Sequence, residues 1–190
     1  MSEPAAPTAP TVPSPTPPSG RAQALIQALQ LQPHPEGGWY REIYRATDTV
    51  QPAHGRGERS TLTSVDFLLR AGERSAWHRV AADEAWHLLE GDALRLWLVS
   101  PDLQQVQAVA LGPVDGTGRR PRHVVPAMWW QAAEPINSAE SAHTATDAGF
   151  SYVGATVGPG FDFADFTFGR DDTALCEALR QHRSDALRLL

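Results

Sequence analysis

The stretch Gly72-Glu-Arg-Ser-Ala-Trp-His-Arg-Val-Ala-Ala-Asp-Glu-Ala-Trp-His-Leu-Leu-Glu-Gly91 limits what this chain can become more than any other. Glycine opens and closes it. Side chains alternate along a strand, so a strand through His78 puts His78 and Val80 on one face. Ala81, Ala82 and Asp83 supply a turn, and Glu84 begins the return strand close to that pair. The stretch therefore reads as a hairpin that brings an imidazole and a carboxylate together between apolar walls. Alternation from Glu84 sends Trp86 and Leu88 inward and His87 outward, unless a bulge intervenes.

The flanking chain repeats the strand pattern. Tyr40, Glu42 and Tyr44 alternate with Arg41, Ile43 and Arg45. They follow Pro33-His-Pro-Glu-Gly-Gly, a tight turn that places His34 and Glu36 beside the first strand. Thr61, Thr63, Val65, Phe67 and Leu69 alternate as one strand face, after a polar loop over Asp48–Glu58. Leu94–Val99 is apolar except for Arg95, as in a strand covered on both sides. Further strands are expected at Val106–Leu111, His123–Val125, Met128–Ala133 and Phe150–Val157, with a loop from Glu134 to Ala148. Phe161, Phe163, Phe166 and Phe168 read as core or edge strand, with Asp162 and Asp165 as its solvent face. Ala22, Leu25, Ile26 and Leu29 fall at helical spacing, as do Ala174, Leu175, Ala178 and Leu179 behind the cap Asp171-Asp172-Thr173. Roughly nine strands at short spacing, with helices only at the ends, predict an all-β barrel or sandwich.

Residues 1–20 are proline- and alanine-rich and cannot bury enough apolar surface to offset their ordering entropy, so a disordered tail is expected. The barrel then spans 21–170 and a C-terminal helix 171–190. The net charge of −6 argues against a nucleic-acid partner. No stretch approaches the roughly 20 apolar residues of a membrane helix. The N-terminus lacks the basic-then-apolar order of a signal peptide. Cys176 is the single cysteine, which excludes an intrachain disulfide and fits a reducing, cytoplasmic setting. All basic residues are arginine, so lysine nucleophiles, Schiff bases and phosphate-loop lysines are excluded. Arg119, Arg120 and Arg122 read as solvated loop charge.

The spacing Gly72, His78, Glu84, Gly91 resembles the first motif of the cupin superfamily, with Val80 where a second histidine stands in the family pattern. Pro126-Ala-Met-Trp-Trp-Gln131 resembles the second motif, with Met128 in place of its glycine and Gln131 in place of its histidine. Pro33-His-Pro-Glu-Gly-Gly-Trp-Tyr-Arg-Glu, Trp77-His-Arg-Val, Asp83-Glu-Ala-Trp-His and Ala155-Thr-Val-Gly-Pro-Gly-Phe-Asp-Phe-Ala-Asp-Phe look like a branch of that superfamily formed by a domain of unknown function. The resemblance covers residues 23–169. It implies a single double-stranded β-helix (jelly-roll) barrel with short terminal helices, and a homodimer.

Metal-binding cupins hold their ion with three histidines and a glutamate. By resemblance only His78 and Glu84 remain, and the Gln131 amide is a weak neutral ligand. No cofactor is expected; a metal enzyme with the reduced set His78, Glu84 and Gln131 is one alternative. Without a metal, His78 and Glu84 become an acid–base pair. Trp77, Trp86, Trp129 and Trp130 are candidate cavity walls, and His87, Gln131 and Glu36 candidate ligand contacts. Sugar-epimerising cupins similarly move a proton next to a carbonyl. The leading expectation is a sugar or small-carbonyl isomerase; the other alternative is a barrel that binds a small ligand, or only pairs with itself, without turnover.

Overall fold

The structure is a computed structural model that describes residues 20–136 and 149–190. The tail through residue 19, and residues 137–148 of the expected loop, lie outside the described residues. In chain order the elements are α1 (Arg21–Ala28), β1 (Gln32–Pro33), β2 (Trp39–Arg45), β3 (Thr49–Val50), β4 (Arg59–Ser60), β5 (Thr63–Arg70), β6 (Ser75–Val80) and β7 (Asp83–Gly91). Then come β8 (Leu94–Val99), β9 (Val106–Leu111), β10 (Arg122–Val125), β11 (Trp130–Pro135), β12 (Phe150–Gly158), β13 (Phe166–Phe168) and α2 (Thr173–His182).

The fold is mostly β, as the sequence predicts. Two antiparallel sheets face each other, in the order β1-β2-β5-β12-β7-β10 and β13-β6-β11-β8-β9, and are not closed by hydrogen bonds into one ring. From β5 onwards every connection except β8–β9 passes from one sheet to the other. Alternation within each strand then separates three apolar groups. Between the sheets lie Phe67, Leu69, Trp86, Leu94, Leu96, Leu98 and Val153. Outside the five-stranded sheet, Trp77, Trp97, Val99 and Trp130 meet Leu175 and Leu179 of α2 and Ala186 and Leu189 beyond it. Outside the six-stranded sheet, Leu68 and Phe150 are covered by Ala22, Leu25 and Ile26 of α1. That is why β8 reads as a continuous apolar run: both of its faces are roofed. Each fully buried leucine or valine there contributes roughly 1.5–3 kcal/mol.

Three expectations change. The Asp48–Glu58 region contains β3, which pairs with β4 as a small separate ribbon. The C-terminal helix stops at His182, and Ser184–Leu189 continues as a 3-10 helix that turns Ala186 and Leu189 inward. The Asp172 side chain caps α2 by accepting from the Leu175 amide at 2.9 Å. Lastly, β6 and β7 are not a hairpin. β6 pairs with β11 and β13, and β7 with β10 and β12. Only the short turn Ala81–Ala82 separates them, and it carries the chain from one sheet to the other.

Candidate functional site

That crossing makes the site. In a hairpin, His78 and Glu84 would sit side by side on one sheet. In two facing sheets their inward faces oppose each other, and both side chains end buried in the space between. A cavity of about 470 Å³ opens there, continuous with the apolar core at Phe67 and Trp86.

The turn before β2 delivers two more polar groups. The Gly37 amide donates to the His34 carbonyl and the His34 amide to the Gly38 carbonyl, both at 3.0 Å. Gly37 has φ +108°, and a β-carbon there would collide with the Arg74 carbonyl, so only glycine suits the position. Closed this way, the turn points His34 and Glu36 into the cavity. Glu36 accepts from the Ser75 hydroxyl at 2.9 Å, and its main-chain carbonyl accepts from the Ala76 amide at 2.8 Å, which ties it to β6.

Gln131 of β11 lies behind the cavity wall and is fully buried. Its three contacts determine one another. An indole N–H can only donate, so the Trp86 Nε1 proton at 3.1 Å fixes Gln131 Oε1 on that side. The amide nitrogen must then face the other way, where it donates to Glu84 Oε2 and, at 3.0 Å, to His78 Nε2. An imidazole nitrogen that accepts carries no proton. His78 is therefore neutral, with its proton on Nδ1, which donates to the Ala76 carbonyl at 2.8 Å and lies 3.2 Å from Glu36 Oε2. The ring stacks on Phe166 at 5.2 Å.

Burial sets the titration of the group. It pushes Glu36 up to about 8, partly countered by the Ser75 hydrogen bond. It pushes Glu84 up to about 7 against the opposing pull of His78 and the Gln131 hydrogen bond. It lowers His34 to about 4, and lowers His78 as well despite Glu84 nearby. Near neutrality the cavity thus holds two neutral imidazoles and two carboxyls within reach of protonation.

The donors do not suit a metal ion. A cation between His78 Nε2 and Glu84 would meet the NH2 of Gln131, which has no lone pair to offer. Val80 brings no donor from the same wall. Among the described residues no three histidine, cysteine, aspartate or glutamate side chains are grouped to hold a metal. The reduced set His78, Glu84 and Gln131 does not form a coordination shell.

Of the residues singled out in the sequence, the structure brings together His78, Glu84, Trp86, Gln131 and Glu36, with Gln131 behind the lining rather than in it. Four lie elsewhere. Trp77 and Trp130 are on the outer face of the five-stranded sheet, and Trp77 Nε1 donates to the Ala186 carbonyl at 2.9 Å. His87 follows Trp86 with the opposite orientation and is absent from the lining. Trp129 packs against the inner core without reaching the cavity. The expected solvent face at Asp165 is also corrected: Arg59 grips its carboxylate with two hydrogen bonds of 3.0 Å.

Sequence reasoning passed over the cavity mouth. Phe161, Phe163 and Phe166 line it, as do Tyr40, Glu42 and Arg45. The alternation of β2 signalled Tyr40 and Glu42 but put Tyr44 on their face. A register shift between Glu42 and Tyr44 sets Arg45 at the edge of the cavity instead and leaves Tyr44 outside it.

The family described as cupin superfamily (DUF985) matches residues 23–169. Protein SO0799 of Shewanella oneidensis, known from a crystal structure, is 33% identical with a TM-score of 0.72, over 87% of this chain and 94% of that one. A hypothetical protein from Leishmania major is 31% identical with a TM-score of 0.74, over 87% and 96% of the two chains. The uncharacterized protein YML079W of Saccharomyces cerevisiae is 29% identical over 185 residues, or 93% of this chain and 88% of that protein.

Proposed function

The chain belongs to the cupin superfamily, in its DUF985 branch, and on that premise we propose that it binds a sugar or small carbonyl compound between its sheets and moves a proton on it. The observation that carries this reading is the cavity of about 470 Å³ whose inner end holds the His78 ring and the Glu84 carboxyl, joined through Gln131. A volume of this size suits a small ligand. A carboxyl raised to about 7 stands near the pH at which a single group both takes and returns a proton. Glu84 as carboxylate takes the proton from the carbon beside the carbonyl, and the electron pair of the broken C–H bond moves onto the carbonyl oxygen as an enolate. With a hydroxyl beside the carbonyl, the intermediate is an enediolate; Glu84 returns the proton to the former carbonyl carbon while the hydroxyl proton passes to the other oxygen, and the carbonyl re-forms one carbon along as the isomer. His78 holds Glu84 in place through Gln131 and shapes its affinity for the proton.

A non-catalytic binder is the second reading. It is favoured by one observation: both ring nitrogens of His78 already have protein partners. Solvent deuterium separates the two. The isomerase incorporates deuterium beside the ligand carbonyl with wild type and loses it in Glu84→Gln and His78→Ala. Saturable binding without exchange identifies the binder, and equal exchange in all three proteins removes the pair as the proton carrier.

The reading includes a homodimer. Ile43, Tyr44, Leu89 and Val124 stand exposed on strands of the six-stranded sheet and offer apolar surface for a second copy. Sedimentation of wild type as a monomer at micromolar concentration would remove it. Among the described residues no helix is long and apolar enough to cross a membrane.

A further inference from the structure

Resting on the reading of the cavity as a small-molecule site, we propose that its ligand is positively charged: an amino sugar or amino ketone rather than a phosphorylated or carboxylated compound. The sign follows from the lining. Among the described residues Glu36, Glu42, Glu84 and Asp162 face the cavity, and Arg45 is the one guanidinium beside them. His34 and His78 also face it, and both are held neutral by burial. Arg45 is committed already. It grips Glu42 with two hydrogen bonds of 2.9 and 2.7 Å and donates to the Phe161 carbonyl at 3.1 Å.

Among the described residues the two deep carboxyls have no such partner. Glu36 meets, among the described residues, only the histidines within ion-pair distance, His34 at 3.8 Å and His78 at 3.2 Å. Among the described residues no arginine is paired with Glu84, and the chain has no lysine to bring. Buried carboxyls without a cation are costly to ionise, and the cost is recovered when a cation arrives. The walls suit one. Tyr40, Phe67, Trp86, Phe161, Phe163 and Phe166 line the same space, and ring faces attract ammonium groups. Among the described residues a phosphate would meet four carboxyls, of which Arg45 compensates only Glu42, and no uncommitted donor of positive charge. The arginine-rich hollow lies elsewhere, at Arg95, Arg119, Arg120 and Arg122 beside β9.

The test uses two series matched in shape and different in charge: glucosamine, glucose and glucose 6-phosphate; phenethylamine, 2-phenylethanol and phenylacetate. Each is titrated by calorimetry at pH 7, where the amines are protonated, into wild type and into the double variant Glu36→Gln, Glu84→Gln, whose melting confirms that it folds. In at least one series the amine is expected to bind wild type about tenfold or more tighter than the neutral member, the anion binding weakest. In the double variant that preference falls to within about twofold. The wild-type heat also changes with the buffer's ionisation enthalpy, because the amine drives protons from the carboxyls. If the neutral member equals the amine, or the anion binds tightest, the charge proposal is overturned while the small-molecule reading stands. Failure of all six to bind overturns both.

Discussion

The two faces of β6 and β11 make an instructive pair. Outward, Trp77, Trp130 and Ala132 lie under Leu175, Leu179, Ala186 and Leu189. Inward, one residue along each strand, stand His78 and Gln131. Each face meets a buried indole that must place its N–H, Trp77 of β6 outside and Trp86 of the facing β7 inside. Outside, Trp77 gives its proton to a main-chain carbonyl, which has one state, and the demand ends there. Inside, Trp86 gives its proton to a side-chain amide, which passes the constraint to an imidazole and a carboxyl that titrate. The same hydrogen bond closes a structure on one side and sets a protonation pattern on the other.

Substitutions can break this comparison. The largest effect is expected from Trp77→Ala, which empties a fully buried site and should lower stability by about 3–5 kcal/mol in chemical denaturation. The pH profile of ligand binding in the remaining folded protein should not move; a parallel shift would mean that the two faces are one unit. Gln131→Leu keeps the volume but removes the partner of Trp86, His78 and Glu84 together. It should cost about 1–3 kcal/mol and, unlike Trp77→Ala, raise the His78 pKa in an NMR titration, because Nε2 is freed from the amide.

A subtler difference lies in pH. Glu36 and Glu84 titrate higher when folded, so above their ordinary range the folded chain holds protons that the unfolded chain has lost. Stability from these groups therefore falls as pH rises towards about 8. His34 and His78 titrate lower when folded, so below their ordinary value of about 6.5 their contribution rises with pH. The decline is expected between about pH 6.5 and 8, by on the order of 1 kcal/mol. Glu84→Gln should flatten it and leave the protein more stable at pH 8; an unchanged slope would exclude Glu84 as its source. The smallest effect is expected from Arg188→Ala. It removes a surface ion pair with Glu134 at 2.6 Å, and should cost under about 1 kcal/mol, less in high salt. A larger loss would mean that charge, not the burial of Leu189, holds the C-terminal segment.

Much of this was legible in the chain. Alternation identified β5, β6, β7 and β12 and placed Trp86 inward and His87 outward, and an unbroken apolar run identified β8. It failed where an extra residue changes the count, as between Glu42 and Tyr44. Alternation also puts Trp77 on the face opposite His78, and grouping it with the cavity walls by its chemistry overlooked that. Trp77 and Trp86 have the same chemistry and the same near-complete burial, yet one faces a helix and the other the cavity.

What the amino-acid order determined by itself is local: the strands, the tight glycine turn that presents His34 and Glu36, and the side of each strand on which His78 and Glu84 fall. These follow from backbone geometry, whose period of two is written into the sequence. Only the tertiary structure decided that β6 and β7 join different sheets, that Gln131 reaches both groups from behind, and that Phe161, Phe163 and Phe166 gather at the mouth. Pairing between strands is settled by which arrangement buries the most apolar surface with every polar group satisfied, and that competition involves the whole chain at once.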